Sequence, residues 1–294
     1  MTVVAWKKKL QQALGRLREF AQRPGKARRR TSPRLGLALG GGFARGVAHI
    51  GVLKVLEENR VRVDCLAGTS VGSLIAGAYA SGATLEEMAA VARKLRWKDF
   101  ARWTLSRMGL ASNKRMEAFL RRVFPALRFE DLKIPLAVLA TDLVEGRPVI
   151  FTSGQLAVAI RASCAYPGLF LPVEYDGGWL VDGMLVAPVP TEAVKTLGAD
   201  LVVAVSLDTL EPGLEPKNMV DVLGRSFRIT QRTAEPLWRA HADLVIEPKV
   251  GGFHWDDFER ADELIAAGEN AMRAAWPRLA RLLEPAVATP AAAL

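Results

Sequence analysis

A short apolar run that ends in glycine and passes directly into a helical pattern occurs twice before residue 81, and this repetition restricts the chain to few architectures. Leu35–Leu39 leads into Gly40-Gly41-Gly42 and a helix-like stretch over residues 44–59. Residues 63–67 then lead into a turn at 68–72 and a small-residue helix through 74–80. Strands that alternate with helices pair in parallel, because a parallel pair needs a long crossover that a helix supplies. Further strands are predicted at 135–140, 148–151, 179–181, 201–206 and 243–246, with helices near 190–197, 219–238 and 257–283. No period of 20 to 50 residues recurs. A chain of 294 residues, half of them hydrophobic, is long enough for one sizeable core, so the pattern predicts a single α/β domain over residues 34–283.

The formal charge of +9 suggests nucleic acid until its distribution is read. Residues 1–34 carry eleven Lys and Arg against the single acid Glu19, a net +10, so the other 260 residues sum to −1. A near-neutral body with a basic leader argues for a local electrostatic contact, and no nucleic-acid partner is expected. Within that leader Val3, Trp6, Leu10, Leu14, Leu17 and Phe20 recur at helical spacing among cations, which suits a helix lying on an anionic membrane. An ordinary surface helix or an unstructured arm satisfies the same pattern. Residues 22–33 read as a linker, completing a leader over 1–33, and the Pro/Ala-rich segment 284–294 is expected to fray.

Trp6 runs into Lys7-Lys8-Lys9 where a secretory signal would continue as an apolar run. The chain is therefore expected in the cytoplasm, with the leader able to meet the inner membrane face. The uncharged stretch 65–85 is rich in Gly, Ala and Ser and reads as strand, turn and buried helix rather than a span. Cys65 and Cys164 lie in apolar surroundings without metal-ligand spacing, which predicts reduced thiols and no metal or cofactor. Residues 85–130 are helical in pattern but carry Trp97, Phe100, Trp103, Met108 and Leu110 among cations. That fits either a lid or lipid-facing cap, or helices packed on the sheet through their aromatics.

Gly68-Thr69-Ser70-Val71-Gly72 has the form G-x-S-x-G, in which Gly68 and Gly72 let the chain turn sharply enough to expose the Ser70 hydroxyl. Ser70 is also placed at a helix start, where free amides favour developing negative charge. The segment from Gly40 to Gly46 offers an oxyanion site through the amides of Gly41, Gly42 and Phe43, with Arg45 as a charge near an oxyanion or phosphate, or as an ion-pair partner at the helix start. Val47-Ala48 after Gly46 excludes a Walker loop, and Phe43 occupies the middle glycine position of a dinucleotide fingerprint. The candidate base is Asp182, where an apolar run meets Gly183, although Asp-Gly is by itself a common turn.

Taken together, LGGGFARGVAHIGVL from Leu39, GTSVG from Gly68, RASCAYP from Arg161 and LVDGMLVAPVP from Leu180 resemble the ordered blocks of the bacterial patatin-like phospholipases. The resemblance runs from about Arg34 to Leu283. It implies a three-layer α/β/α sandwich around a mostly parallel sheet. It also implies a Ser70–Asp182 dyad with a glycine-loop oxyanion hole, and metal-independent hydrolysis of phospholipid, lysophospholipid or related acyl esters. Met184 stands where the family often has Gly or Ala, and Phe43 where many members have a small residue. Both departures bear on substrate range rather than on a reacting group.

Only His49, His241 and His254 are present. The order Ser70, Asp182, then His241 or His254 also satisfies a Ser-Asp-His esterase triad, although the elbow then falls unusually early in the chain. A membrane-recruited, non-catalytic regulator on the same fold is the remaining alternative.

Overall fold

The computed structural model describes residues 32–207, 215–216 and 219–284. The basic leader, residues 1–31 of it, and the segment 285–294 lie outside the described residues. In chain order the elements are β1 (Leu35–Leu39), α1 (Ala48–Glu58), β2 (Cys65–Thr69), α2 (Val71–Ser81), α3 (Leu85–Lys94), α4 (Trp97–Phe100), β3 (Arg102–Trp103), β4 (Ala111–Ser112), α5 (Arg115–Val123), β5 (Leu136–Asp142), β6 (Arg147–Phe151), α6 (Leu156–Ser163), β7 (Val173–Tyr175), β8 (Gly178–Asp182), α7 (Thr191–Thr196), β9 (Leu201–Val205), α8 (Met219–Arg239), β10 (Leu244–Ile246) and α9 (Ala261–Leu283).

The main sheet has the order β10-β9-β1-β2-β5-β8-β7, with β6 also paired to β5. From β10 to β5 every pairing is parallel, and the β5–β6, β5–β8 and β8–β7 pairings are antiparallel. Helices cover both faces. Leu35, Leu37 and Leu39 point into the larger core, and Ala38 of the same strand points into a smaller one shared with Ala67, Ala204 and Val194 of α7. This alternation follows from the two-residue period of a strand, and burial on both faces explains why the central strands read as continuous apolar runs. The result is the three-layer α/β/α arrangement expected from the sequence.

Several elements differ from the sequence expectation. The second strand lies two residues later than 63–67. Asp64 uses its carboxylate to accept the Leu35 N–H at 3.0 Å, and Gly68 and Thr69 join the parallel ladder opposite β5. The stretch 85–130 forms three separate α-helices, α3 to α5, with the β3–β4 hairpin between the last two, and the hairpin bonds to another loop, with the Ala111 N–H on the Leu169 carbonyl at 2.8 Å. Helix α6 and strand β7 carry too few periodic residues to be recognised beforehand. Cys65 is buried, Cys164 is partly buried, and both are free thiols.

Candidate active site

The geometry of the site begins with β5. Its residues 138–142 pair with β6 along one edge. On the opposite edge β2 pairs up to Thr69↔Leu139, where it leaves the sheet, and β8 takes over at once with Asp182↔Ala140. The last residue of β2 and the last residue of β8 thus oppose consecutive positions of one strand. Two segments more than a hundred residues apart in sequence are brought together by strand register, and Ser70 follows Thr69 directly.

At that junction Ser70 adopts φ 54° and ψ −129°, a conformation L-residues rarely hold, which aims its side chain away from the new helix. The strain is held by neighbours. The Ser70 N–H donates to the Ser163 hydroxyl at 2.8 Å, and the Ser70 carbonyl accepts the Ser73 hydroxyl at 2.6 Å. A Cβ at Gly68 would lie 2.4 Å from the Ser73 Cα, and one at Gly72 2.1 Å from the Leu39 carbonyl oxygen, so the elbow closes only with glycine at both positions.

The Ser70 hydroxyl donates to Asp182 Oδ2 at 2.7 Å, and Oδ1 accepts the Met184 N–H at 3.0 Å. Backbone bonds hold the carboxylate's own residue: its N–H donates to the Ala165 carbonyl at 2.9 Å and its carbonyl accepts the Thr141 hydroxyl at 2.8 Å. Gly183 packs where a Cβ would stand 2.3 Å from the Leu139 carbonyl oxygen. Asp182 is fully buried. Loss of water raises its pKa from 3.8 to about 7, against the opposing pull of the Ser70 and Met184 hydrogen bonds.

The glycine loop lies directly over this pair, and a Cβ on Gly41 would be 3.2 Å from the Ser70 Cβ. Its Gly40 N–H is spent on the Val205 carbonyl at 3.0 Å and its Gly41 N–H on the Pro188 carbonyl at 3.3 Å. Gly42 and Phe43 donate to no backbone carbonyl among the described residues. Phe43 has φ 53°, and its ring is braced edge-on by Tyr166 and Trp255, with centroids 4.9 and 5.3 Å away. Arg45 is buried and its Nε donates to the Gly42 carbonyl at 3.4 Å, a bond that closes the loop on itself.

His49 performs the matching task from below. Its Nε2 lies 2.9 Å from the Gly40 carbonyl, which makes Nε2 the protonated nitrogen. Full burial lowers its pKa from 6.5 to about 4. His241 and His254 are exposed, and His254 bonds to Asp256 instead. With both Asp182 oxygens occupied by Ser70 and Met184, no histidine stands between serine and aspartate. Ser70 and Asp182 are in direct contact.

Two cavities meet at Phe43. One of about 250 Å³ is lined by Gly41, Gly42, Arg45, Tyr166, Met184 and Arg228 as well as Phe43. The other, of about 80 Å³, is almost wholly apolar and is walled by Val71, Leu74, Ala78, Met88, Phe119 and Phe43 again. Among the described residues no cluster of His, Cys, Asp or Glu is arranged to hold a metal ion, and no helix is long and apolar enough to cross a membrane. Ser163, Thr141 and the His49–Gly40 contact were not recognised from sequence. Ser163 does fall inside the RASCAYP block, and that is the only signal that could have pointed to it.

The chain is similar to several known proteins. An uncharacterized NTE family protein of Mycobacterium tuberculosis is 38% identical over 207 residues, an alignment covering 68% of this chain and 57% of that protein. The lysophospholipase nte1 of Aspergillus fumigatus is 32% identical over 191 residues, covering 63% of this chain and 12% of that protein. The crystal structure of VipD from Legionella pneumophila superposes with a TM-score of 0.58 over 85% of this chain and 67% of that one, at 13% identity, a likeness of fold. The family model for patatin-like phospholipases matches residues 37–195, a stretch that contains both Ser70 and Asp182, and the chain belongs to that family.

Proposed function

We propose that the chain is a serine lipid acyl hydrolase, of phospholipase A, lysophospholipase or esterase type, acting through Ser70 and Asp182. The observation that carries this reading is the 2.7 Å hydrogen bond from a strained, elbow-mounted serine to a buried carboxylate whose pKa lies near 7. An ordinary aspartate is too weak a base for a serine hydroxyl, and desolvation supplies the missing basicity at neutral pH.

In the proposed reaction Ser70 Oγ attacks the ester carbonyl as its proton passes to Asp182 Oδ2. The oxyanion is received by the N–H groups of Gly42 and Phe43, while that of Gly41 is shared with Pro188. Collapse of the tetrahedral adduct expels the alcohol, which takes the proton from Asp182, and the acyl group stays on Ser70. Asp182 then takes a proton from a water that attacks the acyl-enzyme, and returns it to Ser70 Oγ as the bond to serine breaks and the carboxylic acid leaves. Arg45, Arg225 and Arg228 line the larger cavity together with Glu215, Asp221 and Glu235, a mixed-charge wall suited to a polar leaving group. The apolar cavity beyond Phe43 suits the acyl chain.

Family membership and the similarity to a protein described as a lysophospholipase support this assignment. Hydrolysis of a panel of acyl esters and phospholipids, together with fluorophosphonate labelling, tests it. Wild type is expected to turn over and to label at Ser70, and Ser70→Ala to do neither. A folded wild type that neither reacts with the probe nor hydrolyses any ester would overturn the proposal in favour of a non-catalytic scaffold. Loss of turnover in His241→Ala or His254→Ala, with Asp182→Asn still active, would restore the triad.

A further inference from the structure

The hairpin that interrupts the helices between α4 and α5 is unusual in what it leaves uncovered. Trp103 is 61% exposed, Leu105 is fully exposed, and Met108 and Leu110 are exposed as well. Four large apolar side chains within eight residues of one surface loop form a patch that has a cost in water unless something covers it. Around them stand cations. Between residues 96 and 115 there are six, Arg96, Lys98, Arg102, Arg107, Lys114 and Arg115, all exposed, and one acid, Asp99. Among the described residues none of Lys98, Arg102, Arg107, Lys114 and Arg115 is paired with a carboxylate. This local excess belongs to a body whose charge beyond residue 34 sums to −1.

The hairpin is also fastened to the rim of the site. The Leu110 and Ala111 N–H groups bond to the Leu169 carbonyl at 3.1 and 2.8 Å, and the Leu171 N–H returns to Ala111 at 2.9 Å. That loop carries Tyr166, which walls the larger cavity. A ladder of rings makes the second connection. Trp103 stacks on Trp97 at 5.1 Å, Trp97 meets Trp255 at 6.4 Å, and Trp255 braces Phe43 at 5.3 Å.

We propose that the β3–β4 hairpin is an interfacial docking surface for an anionic phospholipid bilayer, with Trp103, Leu105, Met108 and Leu110 entering the headgroup region and the surrounding cations meeting lipid phosphates. A patch that is apolar at its centre and cationic at its edge matches the layering of such a surface, where acyl boundary and phosphate lie a few ångströms apart. Neither a neutral protein groove nor a nucleic acid offers both. The inference deepens the lipid-hydrolase reading and rests on it for the choice of occupant. Docked through this hairpin, the protein turns the rim that carries Tyr166 and Phe43 toward the lipid that supplies its substrate.

The test is vesicle binding by the full chain, read by co-sedimentation and by quenching of tryptophan fluorescence with brominated lipid. Phosphatidylcholine vesicles are compared with and without phosphatidylglycerol. Wild type is expected to bind the anionic vesicles preferentially, and each cation removed from the series Arg102→Gln, Arg107→Gln and Lys114→Gln to weaken binding about fivefold. Trp103→Phe is expected to lower the brominated-lipid quenching of the full chain, since Trp103 is the tryptophan exposed on this hairpin. Circular dichroism confirms that these surface variants fold. Unchanged anionic-vesicle binding in the triple and Trp103→Ala variants would overturn the proposal and assign membrane contact to another part of the chain. Self-association in sedimentation velocity that disappears in Trp103→Ala would overturn it in favour of a second copy as the occupant. Because binding is read without turnover, these outcomes stand apart from the catalytic proposal, which fails only if a soluble short-chain ester is also left intact by wild type.

Discussion

The backbone N–H of Ser70 donates to the hydroxyl of Ser163, and that hydroxyl in turn donates to the Leu139 carbonyl at 2.5 Å. One buried side chain therefore ties the strained elbow to the strand whose register sets the Ser70–Asp182 distance. Ser163→Ala leaves a buried donor and a buried acceptor unsatisfied, which costs about 1–3 kcal/mol. Because the lost bond holds the positive φ of Ser70, turnover should fall more than KM rises. Thermal unfolding paired with steady-state kinetics checks both, and an intact kcat would limit Ser163 to a structural role.

Asp182 links activity to stability with opposite signs. As a base it must be ionised, so kcat/KM should rise with pH through about 7 and level above it. In the fold its pKa is raised, so between about pH 4 and 7 the native chain keeps a proton that the unfolded chain has released. Stability therefore falls as pH rises across that window, by on the order of 4 kcal/mol at most. Asp182→Asn should abolish turnover, and it should be more stable than wild type at about pH 8 with little difference near pH 4. Denaturant melts at the two pH values decide it.

His49 contributes the reverse slope. Its folded pKa is lowered from 6.5 to about 4, so the unfolded chain takes up a proton first and stability is lost as pH falls from 6.5 toward 4. In wild type this trend and that of Asp182 partly cancel. Replacing His49 with Gln, which can still donate to the Gly40 carbonyl, should remove the acid-side loss and leave a monotonic fall in stability from pH 4 to 7. A pH series of melting temperatures for both chains shows it, and persistence of the acid-side loss in His49→Gln would place its origin elsewhere.

The apolar cavity gives a prediction on chain length. Ala78 lines it beside Leu74 and Met88, and Ala78→Leu fills part of its space. The ratio of kcat/KM for long-chain over short-chain esters should fall by tenfold or more, since each excluded methylene is worth about 1–3 kcal/mol of discrimination. A ratio equal to that of wild type would move the acyl chain to the larger cavity.

The local signals lay close to the surface of the sequence. Glycine spacing around Ser70, the apolar runs flanking it and the Asp-Gly turn at 182 already specified an α/β domain with an elbow and a candidate carboxylate, because turn geometry and strand alternation depend only on neighbouring residues. Convergence of Ser70 and Asp182 depended on tertiary structure. It arises from the handover along one edge of β5, where Leu139 faces Thr69 and Ala140 faces Asp182, and register between distant strands is set by packing of the whole sheet. Desolvation decided the rest. The same carboxylate is an ordinary acid on a surface and a base near pH 7 only when buried, and of two neighbouring tryptophans Trp97 packs partly buried against the core while Trp103 stacks on its outer side and stays exposed.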